Sequence, residues 1–598
     1  MQHLTSLDAA FLHFETPETP MHVGSLMLFE LPEGYKGDYY EDVKELIGKR
    51  LHLCSMFVRK LASMPFELAE PVWIEDDDID LDYHVRYLTL RKPGSMAQLE
   101  QLVARLHSSL LDRSRPLWEV YVIDGLENGL VGYYTKAHHS GIDGKAGVEM
   151  AKVFYDLTPE VREVPPPRRR TKRREGYHLG TAELLQAAVS NGLQQYQRLS
   201  SVLPQAIKAI DTAARIMRNR KYEPGQRRLD LGLAPKTIFN TSITNQRSYT
   251  TLTLSLAEIK ALGKRVGGTV NSVVMAMCSS ALRRFLLERD LLPKEPLIAM
   301  VPVSFRSQGD DSMNNQSSAI RVDLATEIAD PGERFDAIHA SSEAAKAVVA
   351  EFKPIMGVDV PMTGSPWLMT GMASLLGHPD VASRLPAGAN VTISNVPGIP
   401  TTLYMAGARM LHYYPVSIPY HSTALNMTVQ SYDGKLEFGL TACRRVVSQD
   451  ESRELIGYLR KALKEIEALA VEREKARAGK DKEQAEPAPA ARPSKAAEPA
   501  SDEAGAAGGK SKPVELAQVA AEPAAEVVAE SVAAAAAPAC GRSQRARPAR
   551  APERRRSRRA SRPAETGTGA GDGARFRSRA AAAGGVLRSV RDAAVRHG

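Results

Sequence analysis

The sequence is poor in the features that mark disulfide-bonded, metal-binding and secreted proteins. Its 598 residues include four cysteines, far apart and without a CxxC pair, at positions 54, 278, 443 and 540. This spacing indicates neither a disulfide framework nor a zinc site, and a reducing cytosol is the simplest compartment. The start Met1-Gln2-His3-Leu4 lacks the basic and apolar regions of a signal peptide, so we expect none.

Long apolar stretches are also missing from the sequence. We find no run of about 18 apolar residues, the length that a membrane-spanning helix requires. Any contact with a membrane is therefore expected to be peripheral. A chain of this length nevertheless has ample material for two or more folded domains.

Positive charge is concentrated at one end of the chain. Residues 471–598 contain 25 basic and 16 acidic residues, which leaves 53 basic and 54 acidic residues in the rest. Ala, Pro, Glu and Gly dominate this segment to about residue 540, and Arg dominates after it. Such a composition buries too little apolar surface to offset the entropy of ordering. We predict a disordered C-terminal tail over residues 471–598.

Hydrophobic periodicity divides the remaining chain into three parts. Strand-like and helix-like segments occur through residues 1–160 and again through residues 235–470, which predicts two domains of mixed α/β (α+β) class. Residues 161–234 between them begin with a proline and arginine run that is typical of an exposed linker or a phosphate-binding patch. Residues 181–220 are helical in pattern, and they fit a helix on a membrane surface and a crossover packed between domains equally well.

One motif carries most of the chemical information in the sequence. It is Ala137-His138-His139-Ser140-Gly141-Ile142-Asp143-Gly144, at the end of a strand-like run. A histidine can act as a general base, a nearby carboxylate can hold its loop, and glycine permits a tight turn. The motif predicts a catalytic site in which Gly144 serves the turn.

Strand alternation distinguishes the two histidines. Side chains on a strand point to opposite faces in turn. Thr135, Ala137 and His139 therefore share a face with small neighbours, whereas His138 shares the other face with Lys136, a poor neighbour for a dry site. This favours His139 as the working residue. His138 is a second base or a structural hydrogen-bonding partner, and the structural role is favoured.

Asp143 has two possible functions within the motif. It either holds the loop, for example by pairing with an arginine, or relays charge to a histidine, and we favour the first. Elsewhere, Ser394 and Asn395 are expected to shape a turn, and Trp118 is expected to be a core residue rather than a substrate platform.

Several motifs together resemble the bacterial wax ester synthase/diacylglycerol acyltransferase family of acyl-CoA:alcohol O-acyltransferases. The histidine motif alone is shared with other CoA-dependent acyltransferases and condensation domains, and the flanking motifs narrow the resemblance. They occur in the family's order over roughly residues 1–470, and comprise Leu7-Asp8, Pro20-Met21-His22-Val23, Arg115-Pro116-Leu117-Trp118-Glu119, Val301-Pro302-Val303-Ser304 with Arg306, and Ser394-Asn395-Val396-Pro397-Gly398.

The resemblance implies an architecture and a set of partners. It implies two chloramphenicol-acetyltransferase-like domains joined by the crossover linker, with the active site in a tunnel between them and His139 as the catalytic base. It implies acyl-CoA as a substrate without a cofactor or metal, and diacylglycerol or a fatty alcohol as the acceptor. The expected location is cytoplasmic, at the inner face of the cell membrane or at lipid inclusions, and no specific nucleic acid partner is expected.

One position departs from the family pattern. The family commonly has Asn-Asp at the start of the core helix of the second domain, whereas this chain has Asn271-Ser272. Asn271 is a candidate substrate-binding residue that stabilises the oxyanion, or it is a helix cap or interface residue. Serine at a helix start is a good cap, so Ser272 is expected to be a structural replacement.

The sequence therefore predicts transfer of a fatty acyl group from acyl-CoA to a hydroxyl. It lacks a GxSxG nucleophile elbow, and no cysteine lies beside the histidine motif, which favours direct transfer in a ternary complex. Two alternatives remain open: an acyltransferase or condensation-type enzyme with another acceptor, such as a carrier-bound amine, and a non-catalytic lipid-surface binder that acts through the basic tail.

Overall fold

The computed structural model describes residues 2–62 except 5, 71–142 except 77, 151–166 except 152, 233–304, 317–356 and 387–485. Asp143, Gly144 and Arg306 lie outside the described residues. The predicted helix over 181–220, nearly all of the predicted linker, and residues 486–598 of the predicted tail lie outside them as well.

Strands of the described residues are numbered here in chain order. They are β1 Gln2–His3, β2 His22–Glu30, β3 Arg59–Ala62, β4 Val72–Glu75, β5 Val85–Thr89, β6 Trp118–Asp124, β7 Val131–His138, β8 Arg247–Ser255, β9 Ile298–Ser304, β10 Ser317–Asp323, β11 Val391–Val396, β12 Tyr404–Met405, β13 Ala408–Val416, β14 Leu425–Tyr432 and β15 Lys435–Cys443.

The α-helices are numbered in the same way. They are α1 Ser6–Phe14, α2 Tyr39–Arg50, α3 Leu81–His84, α4 Met96–His107, α5 Leu256–Val266, α6 Val270–Leu287, α7 Pro331–Met356 and α8 Gln449–Ala485. Local sequence explains several of their ends. For example, α4 begins with a capping box between Ser95 and Gln98, and α5 ends at Gly267, whose φ of 78° suits glycine.

The first large sheet places the histidine motif at the end of a central strand. Its order is β12-β13-β2-β7-β6-β5, and β7 is antiparallel to both of its neighbours. Every residue of β7 is buried. His22 lies opposite His138, and Ser25 lies opposite Thr135. The motif therefore emerges from a strand that is held on both edges.

Two strands of this sheet come from the C-terminal part of the chain. β13 pairs with β2 along most of its length, and β12 continues the sheet beyond it. Met405 and Met410 are buried in the same core as Met27 and Phe29. The predicted boundary near residue 235 followed chain order, whereas strand pairing crosses it at these two strands.

The second large sheet shares its hydrophobic core with a long apolar helix. Its order is β10-β9-β11-β14-β15-β8, and β11 runs parallel to both β9 and β14. Within the described part of the chain, α6 is the one helix that is long and apolar enough to cross a membrane. We had expected no apolar stretch of that length. Because 67% of it is buried inside the protein, packing in the core accounts for its composition.

The last helix extends into the predicted tail. We expected disorder from residue 471, which is wrong for residues 471–485 because α8 continues to Ala485. Charged side chains hold this extension. Arg473 donates hydrogen bonds to the Val266 carbonyl and to Asp336, and Glu474 accepts two from Arg265. Composition alone missed these contacts because their partners are distant in sequence.

Candidate active site

A cavity of about 350 Å³ lies beside the histidine motif. Strands of both large sheets contribute to its wall. The side chains or backbone that line it are from Val23, Gly24, Ser25, Thr135, Ala137, His139, Ile142, Ala151, Tyr155, Pro302, Thr392, Ser394, Val396, Pro397, Gly398, Ile399, Tyr413, Pro415, Val416, Ser417, Ile418, Tyr420, Asn426, Thr428 and Gln430. The cavity wall is mostly apolar and also carries hydroxyl, amide and imidazole groups, as is usual for sites that bind amphipathic small molecules.

His139 faces this cavity together with Thr135 and Ala137. The face predicted from strand alternation is therefore confirmed. The backbone N–H of His139 donates to the Met21 carbonyl at 2.8 Å. Its ring stacks on Phe11 of α1, with the ring centres 4.0 Å apart and the planes 15° from parallel. These two contacts fix both the backbone and the ring of His139.

The environment of His139 keeps its imidazole neutral. Burial lowers the pKa of His139 from 6.5 to about 4, although a hydrogen bond between the ring and its own backbone opposes this shift. At neutral pH the ring is therefore unprotonated at one nitrogen. A neutral imidazole in an apolar cavity is ready to accept a proton from a hydroxyl group.

His138 has different surroundings. Its side chain is buried and is not among the groups that line the cavity. Its Nδ1 accepts the Ser140 backbone N–H at 3.1 Å and lies 2.7 Å from the Ser140 hydroxyl. Because Nδ1 accepts an N–H, the neutral ring carries its proton on Nε2. That Nε2 lies 3.3 Å from Oε1 of Glu15.

Glu15 is the residue of this site that sequence reasoning missed. Its carboxylate is 3% exposed and accepts the Met21 backbone N–H at 3.0 Å. Arg113 donates two hydrogen bonds to Oε2, from Nε at 3.0 Å and from Nη2 at 2.8 Å. No spacing in the sequence connects Glu15 with Arg113, since 98 positions separate them. The fold alone reveals the pair.

Glu15 is ionised despite its burial. Burial by itself raises the pKa of the carboxyl group, but the contacts with His138, Arg113 and the Met21 N–H outweigh that effect and lower the pKa to about 2. The ionised carboxylate therefore holds two segments that flank the backbone of His139. It contacts the imidazole of His138 and the backbone of Met21, whose carbonyl holds His139.

The segment that follows the motif is held by a buried arginine. Arg50 of α2 is 1% exposed and forms an ion pair with Asp156 at 2.8 Å. Its other nitrogen donates to the carbonyls of Val153 and Phe154. The backbone of Asp156 in turn pairs with Tyr404 of β12. The predicted arginine partner of Asp143 stays a prediction, since Asp143 lies outside the described residues.

Lys136 lies on the face of β7 opposite the cavity. It is fully buried, 3.0 Å from Glu119, and donates to the carbonyls of Leu106 and Ser109. The positive charge of Lys136 is therefore neutralised by Glu119 on the side of the sheet opposite the cavity. Trp118 is 1% exposed, and its indole N–H donates to the Phe57 carbonyl at 3.1 Å, which confirms its prediction as a core residue.

The structure does not bring Asn271 to the cavity. Asn271 is half-buried in the first turn of α6 and is not among the described residues that line the cavity. The helix is capped by Thr269, and Ser272 completes the capping box by accepting the Thr269 N–H. The Ser272 hydroxyl also lies 2.9 Å from Nδ1 of His339. Ser272 therefore stabilises the start of the helix, which confirms the structural function expected for it.

The prediction of a turn at Ser394 and Asn395 was wrong. Both residues belong to β11, where they pair with Thr428 and Val429 of β14. Parallel pairing continues to Val396 and ends at Pro397, which has no N–H to donate. As a consequence, Ser394 lines the cavity.

Comparison with known protein families agrees with this geometry. The model of the wax ester synthase/diacylglycerol acyltransferase catalytic domain matches residues 4–274, and the model of the C-terminal domain of the same family matches residues 313–467. The catalytic-domain match includes the histidine motif and most of the first sheet. The C-terminal match includes the strands β11 to β15.

Individual relatives cover most of the chain. A putative diacylglycerol O-acyltransferase of Mycobacterium bovis is 36% identical over 467 residues, 77% of this chain and 97% of that protein. A putative diacylglycerol O-acyltransferase of Mycobacterium tuberculosis is 34% identical over 464 residues, 78% of this chain and 99% of that protein.

A solved structure supports the same assignment. The wax ester synthase/diacylglycerol acyltransferase of Marinobacter aquaeolei VT8 is 32% identical and superposes with a TM-score of 0.55, covering 78% of this chain and 99% of that one. This confirms the predicted mixed α/β, two-domain fold and the resemblance read from the motifs. The chain belongs to the wax ester synthase/diacylglycerol acyltransferase family and is an O-acyltransferase.

Proposed function

We propose that the protein transfers a fatty acyl group from acyl-CoA to the hydroxyl of diacylglycerol or of a long-chain alcohol, forming triacylglycerol or wax ester. The observation that carries this proposal is His139, a neutral imidazole at the wall of a mostly apolar cavity. The names of the bacterial relatives support diacylglycerol and alcohols as acceptors. No cofactor or metal takes part in the proposed reaction.

The proposed reaction uses one general base and a single acyl transfer from the thioester sulfur to the acceptor oxygen. His139 takes the proton of the acceptor hydroxyl as the oxygen attacks the thioester carbonyl. The carbon–sulfur bond then breaks, and the CoA sulfur regains the proton from His139. A single well-placed histidine contributes a rate factor of about 10² to 10⁴ to such a step. No acyl-enzyme is required, and no cysteine is found among the described residues of the cavity wall.

The neighbours of His139 support the base without replacing it. Nδ1 of His138 is hydrogen-bonded to Ser140, and its buried Nε2 lies 3.3 Å from the Glu15 carboxylate without meeting hydrogen-bond geometry among the described residues, which favours a structural role for His138. Asp143 and Gly144 are proposed to hold and to permit the turn after the histidines. Asn271 has no part in the proposed chemistry, because it does not line the cavity.

The chemistry of the acceptor also favours a location. Diacylglycerol and long-chain alcohols partition into lipid, so we propose that the protein works at the inner face of the cell membrane or at lipid inclusions. Its attachment would be peripheral, because α6 lies in the core of the protein.

An acceptor panel tests the proposed activity. We expect the purified chain, given radiolabelled palmitoyl-CoA, to form labelled triacylglycerol with dioleoylglycerol and labelled wax ester with hexadecanol. Both acceptors offer a hydroxyl on an apolar molecule that suits the cavity. Thin-layer chromatography separates the products. An amide from a long-chain amine as the sole labelled product would contradict an ester-forming enzyme, and the absence of any product would contradict acyl transfer.

A further inference from the structure

One wall of the cavity carries polar side chains, which an apolar fatty chain cannot use as hydrogen-bond partners. β11 and β14 run side by side and parallel, so that Thr392 lies next to Asn426, and Ser394 next to Thr428. The alternate residues, such as Ile393 and Met427, point into the apolar core. The polar side chains on the cavity face form what we call the polar wall, which consists of Thr392, Ser394, Asn426, Thr428 and Gln430.

The other lining elements are largely apolar and contribute fewer polar groups, among them those of Ser25, Thr135 and Tyr413. Val23, Ala137, Ile142 and Ala151 lie on the side of His139, and Val416 and Ile418 close another side. An acyl chain gains free energy from contact with such surfaces and has no polar atom for the polar wall. A ligand that uses both surfaces must be apolar along one part and polar along another.

The Thr392 hydroxyl is the group of the polar wall that most clearly needs a hydrogen-bond partner from a ligand. Thr392 is 4% exposed, lines the cavity, and its hydroxyl has no hydrogen-bond partner among the residues that the structure describes. Buried hydroxyl groups are normally paired, and an unpaired one destabilises the fold. Threonine has three staggered χ1 positions, and a rotation of about 120° redirects the hydroxyl, which allows it to meet an acceptor atom of a ligand in the cavity.

The neighbouring amide also has a hydrogen to offer. Asn426 donates one N–H to the Ile418 carbonyl at 3.0 Å, and its oxygen accepts the Thr428 hydroxyl at 2.8 Å. These two bonds fix the amide orientation, and within the described part of the chain they use one of its two N–H groups. The polar wall thus presents hydrogen-bond donors, and its natural complement is an acceptor oxygen.

We infer that the polar wall is a subsite for carbonyl oxygens of the substrates, an inference that rests on the proposed function. Two sources supply such oxygens: the ester groups of diacylglycerol and the amide groups of the CoA arm. Either carbonyl loses water on entering the cavity and needs a donor in return. A fatty alcohol has no carbonyl group. If the esters are the ligand, binding of diacylglycerol depends on the polar wall and binding of the alcohol does not.

The substitution Thr392→Val tests the inference with little change in shape. It removes an unpaired buried hydroxyl, so the melting temperature is expected to stay level or to rise. Loss of one neutral hydrogen bond to the ligand is expected to raise a KM by about 3- to 10-fold. The assay compares KM for dioleoylglycerol, hexadecanol and palmitoyl-CoA, with Ser394→Ala as a second variant and Thr250→Val on β8, outside the cavity, as the matched control.

The outcomes separate the two sources and the alternative. A raised KM for dioleoylglycerol alone supports binding of esters, and a raised KM for palmitoyl-CoA with either acceptor supports binding of amides. Unchanged KM values for all three substrates in both variants, with an equal or higher melting temperature, overturn the inference. Equal rises for dioleoylglycerol and hexadecanol alone overturn it too, because they reflect cavity shape. Wild-type protein that makes no ester refutes the proposed function instead.

Discussion

Replacing His139 by alanine is expected to lower kcat/KM for ester formation by about 10²- to 10⁴-fold, the contribution of a single general base. The imidazole is the proposed acceptor of the hydroxyl proton, and alanine has no group that replaces it. His139 is half-buried beside a cavity, so its removal breaks no packed core. The measurement is the initial rate of labelled triacylglycerol formation from palmitoyl-CoA and dioleoylglycerol, together with the melting temperature.

The half-buried His52 supplies a matched control. Its Nε2 lies 2.9 Å from the Pro165 carbonyl, away from the cavity, and His52→Ala is expected to keep the wild-type rate. His138→Ala is expected to differ from His139→Ala, since it removes contacts with Ser140 and Glu15 and lowers stability as well as rate. A kcat/KM of folded His139→Ala within a few-fold of the wild-type value would contradict the proposed mechanism.

Replacing Glu15 by glutamine is expected to lower kcat/KM by about 10- to 100-fold, because misplacing a catalytic group by about 1 Å has an effect of this size. Glutamine keeps the shape and an acceptor oxygen for the Met21 N–H. It loses the charge that pairs with Arg113 and faces His138. The loss should lie mainly in kcat, because Glu15 is not among the groups that line the cavity.

Glu100→Gln is the matched control for this variant. Glu100 is also buried, but it accepts hydrogen bonds from Thr251, away from the histidine motif. We expect its kcat to stay near the wild-type value even if its stability changes. A positioning role also predicts that the pH dependence of kcat/KM shifts in Glu15→Gln. Parallel losses of stability alone in the two variants, with kcat and the pH profile unchanged, would show that Glu15 is merely structural.

Sequence reasoning was most successful where the signal was local. The alternation of residues 134–139 along one strand identified the face of His139, because neighbouring side chains on a strand must point in opposite directions. Hydrophobic periodicity likewise predicted the mixed α/β class of the two folded segments. The family motifs then supplied the architecture and the class of reaction, which no periodicity contains.

Features that depend on contacts between residues distant in sequence could not be predicted from the sequence. The contact between Glu15 and Arg113, the pairing of β13 with β2, and the anchoring of α8 by Arg473 each join segments far apart in the chain. Ser394 was misassigned because Asn, Pro and Gly close behind it are typical of turns, whereas pairing with β14 keeps it in a strand. The polar wall follows from that same pairing.

The pH dependence of kcat/KM tests most directly whether His139 is the general base. Burial lowers the pKa of His139 to about 4, so the unprotonated form persists well below the pH at which an ordinary imidazole is protonated. We predict a rate that is level from about pH 6 to 8 and falls through a single ionisation near pH 4 in the free enzyme. Glu15, with a pKa of about 2, stays ionised throughout. A rate that does not fall through this range while the protein remains folded, or the same acid limb in the residual activity of His139→Ala, would contradict the account.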